Sequence, residues 1–141
     1  MKLLYTLIIL LAFFISCSET IDSDLLVKRN DLIYKVNSNK IFSGDFINYH
    51  LNGQLEQQGI IKNGKREGEW VYYFQNGQIG VEKNYRNGKM DGKWTYYDGN
   101  GGISSEHNYI DGKREGKWIW YRNNGQIKKE ENYIDGIVQK P

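Results

Sequence analysis

Hydrophobic and polar positions alternate along this chain in short runs broken by glycine-containing turns. Trp70-Val71-Tyr72-Tyr73-Phe74 is an aromatic and β-branched run of the kind that forms strands. After Gln75-Asn76-Gly77 the chain resumes with apolar residues at alternate positions, Ile79, Val81 and, two steps on, Tyr85. The pattern then returns: residues 63–86, 87–110 and 111–134 align at a spacing of 24 without an insertion. Gly68, Gly92 and Gly116 fall in register, as do Trp70, Trp94 and Trp118, the turn glycines Gly77, Gly101 and Gly125, and Ile79, Ile103 and Ile127. Tyr85, Tyr109 and Tyr133 form a further column. A weaker partial copy at 44–62 supplies Gly44, Phe46, Tyr49, Gly53 and Leu55. A fixed period of this size means stacked copies of one small unit. Two glycine turns in each copy leave no uninterrupted stretch for a helix, so the unit is a β-hairpin.

A two-residue loop at Asn76-Gly77 is expected, since both central residues of such a turn need positive φ. It would place Phe74 opposite Ile79, Tyr72 opposite Val81 and Trp70 opposite Lys83. The second turn, Asn87 through Gly92 and its equivalents, is expected to be longer. Side chains alternate across a strand, so one face carries Trp70, Tyr72, Phe74, Ile79, Val81 and Tyr85. The other carries Val71, Tyr73, Gly80, Glu82 and Asn84. Stacking converts the first face into the rows Phe46-Trp70-Trp94-Trp118 and Tyr72-Tyr96-Trp120. The second face becomes a Tyr49-Tyr73-Tyr97-Tyr121 row opposite Gln58-Glu82-Glu106-Glu130. The predicted fold is all-β, an antiparallel meander of 24-residue hairpins forming one extended twisted sheet.

The chain begins differently. Met1-Lys2 is followed by thirteen residues without charge, 3–15, too few for a spanning helix of about 20 residues but suited to a signal-peptide core. Ser16-Cys17 follows at once and resembles a bacterial lipobox, although Phe14 stands where the pattern has Leu. Cys17 is the only cysteine, so no intramolecular disulfide can form. The expected organisation is a lipoprotein signal peptide at 1–16, lipidation at Cys17, and a polar tether at 17–24. A capping hairpin then occupies 25–43 (strand 32–36, turn 37–39), followed by repeats to 136 and a tail at 137–141. Membrane attachment through Cys17 and an envelope location follow as expectations. Net charge is +2 over 141 residues, too small to point to an obligate nucleic-acid or membrane-surface binder.

The unit Gly-x-Trp-x-x-Tyr, x-Asn-Gly-x-Ile, Tyr-x-Asn/Asp-Gly resembles the MORN repeat variant family over residues 44–136, with 32–44 matching the lead-in. The resemblance implies a sheet of hairpins that binds proteins or membranes. It also implies an antitoxin role, since many members carry that label.

No catalytic constellation accompanies the repeats. His50 and His107 lie 57 residues apart in different columns, and with one cysteine they make no zinc motif. The glycines lie in hairpin turns, not between a strand and a helix, which removes a phosphate loop. The glutamate row could be read as paired acid catalysts, but its identity repeats with the fold, as a solvated sheet face would. The chain is expected to be a non-enzyme without cofactor or metal. Tyr49, Tyr73, Tyr97, Tyr121 and Trp120 are the candidate contact residues for a protein partner. Alternative partners are one specific toxin, or an envelope glycan or anionic lipid met by aromatic and basic columns. Edge-to-edge pairing of two copies is a further expectation, because open sheets leave unpaired edges.

Overall fold

Each repeat folds as a hairpin, but its two turns are the reverse of the expected assignment. The tight turns are Asn63-Gly64, Asn87-Gly88, Asp111-Gly112 and Asp135-Gly136, where both residues of each pair have positive φ, 50° and 75° in the first. At Asn76-Gly77 only the glycine does. There the Gly77 N–H donates to the Phe74 carbonyl (2.9 Å), and the Phe74 N–H to the Gln78 carbonyl (2.8 Å). The Asn76 side chain accepts from the Gln78 N–H (3.0 Å). This is a turn closed by a glycine bulge, stabilised by an Asn side chain that competes with the ladder for a backbone donor. The bulge shifts the register by one residue. Trp70 still faces Lys83 and Tyr72 still faces Val81, but Tyr73, not Phe74, faces Ile79. The Phe74 ring lies instead over Gly80, about 3.1 Å from where a Cβ would stand.

The computed structural model describes residues 19–140. The expected signal segment and Cys17 lie outside them. The chain forms β1 (Thr20–Asp22), a 3-10 turn (Ser23–Leu25), β2 (Leu26–Arg29) and β3 (Leu32–Lys35). The repeats follow as β4 (Gly44–Tyr49), β5 (Leu55–Lys62), β6 (Lys65–Tyr73), β7 (Ile79–Arg86), β8 (Lys89–Met90), β9 (Gly92–Tyr97) and β10 (Ile103–Ile110). The last are β11 (Lys113–Arg114), β12 (Gly116–Tyr121), β13 (Ile127–Ile134) and β14 (Ile137–Val138). Twelve strands make one sheet in the path β1-β4-β5-β6-β7-β9-β10-β12-β13-β14, with β8 on β7 and β11 on β10. The meander is antiparallel throughout. Only β1 runs parallel to its neighbour, β4.

That parallel strand revises the reading of 17–24 as a slack tether. Ile21 is buried in the core, and the Ser23 hydroxyl donates to Asn48 Oδ1 at 2.7 Å. An apolar side chain in an otherwise polar segment is enough to seat it on the open edge of β4. The tail also contributes a strand, β14, paired with β13. The capping hairpin forms, but around Asn30-Asp31, both at positive φ, so that β2 pairs with β3 as a separate two-stranded sheet. It is held to the repeats by Ile33 N–H donating to the Gly64 carbonyl (2.9 Å), and by Phe42 N–H donating to Ile33 (2.9 Å).

The tryptophan column is the core. Trp70, Phe42, Ile61, Phe46 and Ile21 form one buried cluster, with Leu26 and Ile33 of the hairpin against it. Trp94, Tyr109, Trp118 and Tyr133 form a second. Beyond the hairpin, aromatic neighbours supply the burial: Tyr85 lies 5.5 Å from Trp94, Trp94 4.9 Å from Tyr109, and Trp118 5.1 Å from Tyr133, ring centre to ring centre. Tilted aromatic contacts of this kind are worth about 0.5–1.5 kcal/mol each beyond area burial. Pairing with the preceding hairpin is interrupted beside each tryptophan. Gln58 faces Val71 while Ile60 faces Glu67, so Gly68, Glu69 and Trp70 of β6 stand opposite Gly59 alone, and Gly68 takes φ +65°. The Trp70 indole N–H donates to the Ile60 carbonyl (3.1 Å). Trp94 does the same to Asn84 (3.0 Å) and Trp118 to Asn108 (3.0 Å).

Candidate functional site

The face opposite the tryptophans is where the expected contact residues gather. Tyr73, Tyr97 and Tyr121 stand at the ends of β6, β9 and β12, with Tyr49 on β4 continuing the row. The hydroxyls of Tyr73, Tyr97 and Tyr121 meet the glutamine-glutamate row one hairpin back. Gln58 Nε2–H donates to the Tyr73 oxygen (2.8 Å), Tyr97 donates to Glu82 (2.8 Å) and Tyr121 to Glu106 (2.8 Å). Lys93 pairs with Glu106, and Lys117 with Glu130 at 2.8 Å. The Tyr73, Tyr97 and Tyr121 rings are therefore held by their polar tips and leave part of their apolar bodies at the surface.

Electrostatics follows from these contacts. Burial, with the Glu82 carboxylate accepting from the hydroxyl, pushes the Tyr97 phenol up to about 12. The Glu106 hydrogen bond raises Tyr121. Lys93, first, and Tyr121 hold the Glu106 carboxyl below the usual range. A carboxylate held ionised and accepting from a phenol is poorly suited to donate a proton. The Tyr97–Glu82 and Tyr121–Glu106 bonds of this row are charge-assisted, and the Gln58–Tyr73 bond is their neutral counterpart.

The register shift adds residues that the sequence pattern assigned to the wrong side. Because Tyr73 faces Ile79, the pairs Tyr49–Leu55, Tyr97–Ile103 and Tyr121–Ile127 also form. The isoleucines are exposed, by 36%, 41% and 51% in chain order. A strip of Tyr–Ile pairs thus repeats along the ends of the hairpins. The signal was present in the Ile79-Ile103-Ile127 column, but a two-residue loop at Asn76-Gly77 sends that column to the tryptophan face. Trp120 is not part of this strip. It packs with Trp118 on the opposite face (6.1 Å), under the Lys129 ammonium (4.9 Å).

On the tryptophan face His107 stacks flat on Trp118, 3.9 Å between ring centres at 9°. Burial and the nearby Arg114 lower its pKa, and its Nε2 has no hydrogen-bond partner among the described residues. His50 lies elsewhere, its Nε2 within hydrogen-bond distance (2.9 Å) of the Tyr73 carbonyl.

The repeat glycines divide by cause. Those at 53, 77, 101 and 125 sit at positive φ in the longer loops, and those at 68, 92 and 116 at positive φ two residues before each tryptophan. Gly44 heads the same column for a different reason. A Cβ there would stand 2.3 Å from the Glu19 carbonyl and 2.8 Å from the Phe42 ring.

Comparison with known proteins agrees with this geometry. The family model described as MORN repeat variant matches residues 43–63, 66–89, 90–111 and 114–135, each segment spanning one hairpin-to-hairpin step and together more than half of the chain. Among curated proteins, none matches the chain. Repeat arrays of this type present extended surfaces for interaction with proteins or membranes. With four matched copies on the periodicity, the turns and the tryptophan column described above, this chain belongs to the MORN repeat variant family.

Proposed function

We propose that the chain is a non-catalytic, lipid-anchored interaction module of a bacterial cell envelope, binding a protein partner through the Tyr–Ile strip. The observation that carries this reading is the strip itself. Ile79, Ile103 and Ile127 remain exposed beside half-buried tyrosines at a regular spacing, and large apolar side chains left exposed in a repeated row suit a contact site. Cys17 and the apolar segment before it support the anchor. Lipidation at Cys17 would hold the array at the membrane on a short lead.

Two measurements test the proposal. Affinity capture from native cells with the wild-type protein should recover one stoichiometric partner, and the triple variant Ile79→Thr, Ile103→Thr, Ile127→Thr should lose it while keeping its circular dichroism. Equal capture by both removes the strip from the interface. If the partner is a toxin whose growth defect this protein relieves, the role narrows to immunity. Cys17→Ala should abolish metabolic labelling with a fatty acid and shift the protein out of the membrane fraction. Retention of label would refute the anchor.

A further inference from the structure

The columns that are charge-balanced in the last repeat are unbalanced in the first. In the last, Arg114 lies over Trp118 (4.6 Å) and donates to the Tyr133 hydroxyl (3.2 Å), which in turn donates to Glu131 (2.7 Å). Stepping back 48 residues, Arg66 lies over Trp70 (4.3 Å) and donates to Tyr72 (2.7 Å) and Tyr85 (3.3 Å) in the same way. The residue in the Glu131 column, however, is Lys83. Its ammonium sits on the rings of Tyr72 (4.3 Å) and Trp94 (4.9 Å). Neither Arg66 nor Lys83 has a carboxylate partner among the described residues. Two half-buried cations thus share one aromatic wall without a counter-charge. Their repulsion adds to burial in lowering the Lys83 pKa.

The arginine opens onto a cleft of about 800 Å³ between hairpin β2–β3 and the sheet. Leu26, Ile33 and Phe46 form its apolar wall, and Lys65 and Arg66 its cationic one, with Tyr85 between them. The acidic groups nearby are engaged. Asp31 pairs with Lys28 (3.0 Å), and Glu67 accepts the Asn87 N–H (2.7 Å). Lys89, also on the lining, is paired outward to Asp111 (2.7 Å). Guanidinium carries five donors in a planar fork suited to a carboxylate, and here only some are used.

We infer that this cleft binds an acidic peptide segment of a partner protein, one of whose carboxylates takes the place beside Arg66 that Glu131 fills beside Arg114. The chain itself shows the chemistry of the missing group: a side-chain carboxylate reaching an aromatic-stacked arginine through a tyrosine. The apolar wall calls for an aliphatic residue next to the acid. A bilayer surface is too flat to reach between the hairpin and the sheet, which favours a peptide over a lipid headgroup. The inference rests on the reading of the array as a protein-binding module, but uses the opposite face.

The test titrates full-length protein into a fluorescein-labelled, end-blocked octapeptide of alternating Glu and Leu and follows anisotropy. The matching Gln–Leu peptide and phosphatidylglycerol vesicles serve as separate arms. Saturable binding of the Glu peptide is expected, weakened about tenfold or more for the Gln peptide, as loss of a charge-assisted pair implies. Lys83→Glu supplies the internal carboxylate of the last repeat and should weaken binding by a similar factor without lowering the melting temperature. Lys113→Gln, which also removes a positive charge but far from the cleft, should leave binding unchanged. Equal losses in both variants, equal affinity for the two peptides, or binding to vesicles alone would overturn the proposal. The Ile79, Ile103, Ile127 triple variant should bind the peptide like wild type, so failure of the strip and failure of the cleft are read separately.

Discussion

Replacing Gly59 by alanine tests how the tryptophan column is packed. A Cβ at this position would stand 2.3, 2.5 and 2.6 Å from three indole atoms of Trp70, against the 3.4 Å at which ordinary contact begins, so the ring must retreat by about 1.1 Å. Trp70 has no room to do so. It is 0% exposed, its indole lies 5.0 Å from the Phe46 ring and 4.3 Å from the Arg66 guanidinium, and its N–H is tied to the Ile60 carbonyl. Overpacking a well-filled core costs about 1–3 kcal/mol. Alanine returns about 0.4–1 kcal/mol by restricting the unfolded chain, because Gly59 is not at positive φ. The net expectation is a loss of about 1–2 kcal/mol, or roughly 4–8 °C in melting temperature. Gly80→Ala is the matched control. Its Cβ would meet only the Phe74 ring at 3.1 Å, and that ring is 37% exposed at the end of a loop. It can swing away, so stability should stay unchanged or rise by about 0.5 kcal/mol. Urea unfolding followed in parallel by tryptophan fluorescence and circular dichroism, with linear extrapolation, gives both numbers. If Gly59→Ala proves as stable as wild type, or less harmful than Gly80→Ala, the reasoning fails.

Three further outcomes are expected. Gly112 sits at φ +86° with no atom near its missing Cβ, whereas Gly99 has open space and no such backbone demand; Gly112→Ala should therefore cost about 1–2 kcal/mol of conformational strain, and Gly99→Ala should be neutral or stabilising in the same urea assay. The Tyr97 phenol, pushed up to about 12, lies above its unfolded value of about 10, so its contribution is whole below pH 10 and is lost as pH rises toward 12. Tyr97→Phe should flatten that alkaline limb of the stability curve, read by urea midpoints at successive pH values. His107 is held below the ordinary imidazole value, so its contribution is whole above about pH 6.5 and fades as pH falls through the lower folded value. His107→Gln should lose less melting temperature than wild type between pH 7 and 5.

Several features were legible in the one-dimensional pattern because they depend on period alone. The 24-residue spacing puts Trp70, Trp94 and Trp118 in one column, with Tyr85 and Tyr109 between them, whatever the turn geometry, since each copy repeats the same displacement. For the same reason Tyr97 and Tyr121 meet Glu82 and Glu106. Which turn is tight was not legible. Asn76-Gly77 and Asn87-Gly88 are the same dipeptide, and the choice between them depends on whether the flanking strands can continue the ladder. At Asn76 the side chain takes the Gln78 N–H and opens the loop; at Asn87 both residues adopt positive φ and close it. That single difference moved Ile79, Ile103 and Ile127 to the tyrosine side, and with them half of the candidate contact strip.

Long-range packing determined the rest. Nothing local in residues 19–24 announces a strand; Ile21 is buried because β4 offers an open edge and Phe46 an apolar neighbour. Hairpin β2–β3 turns on Asn30-Asp31, a pair without glycine, and folds back over the first repeat. The cleft beside Arg66 exists only through that return. Sequence alone determined the periodic part of this protein, because translation by one repeat is a local rule applied again and again. The tertiary structure alone decided its ends and its register, because those depend on which edges and carbonyls remain unpaired after the repeats have stacked.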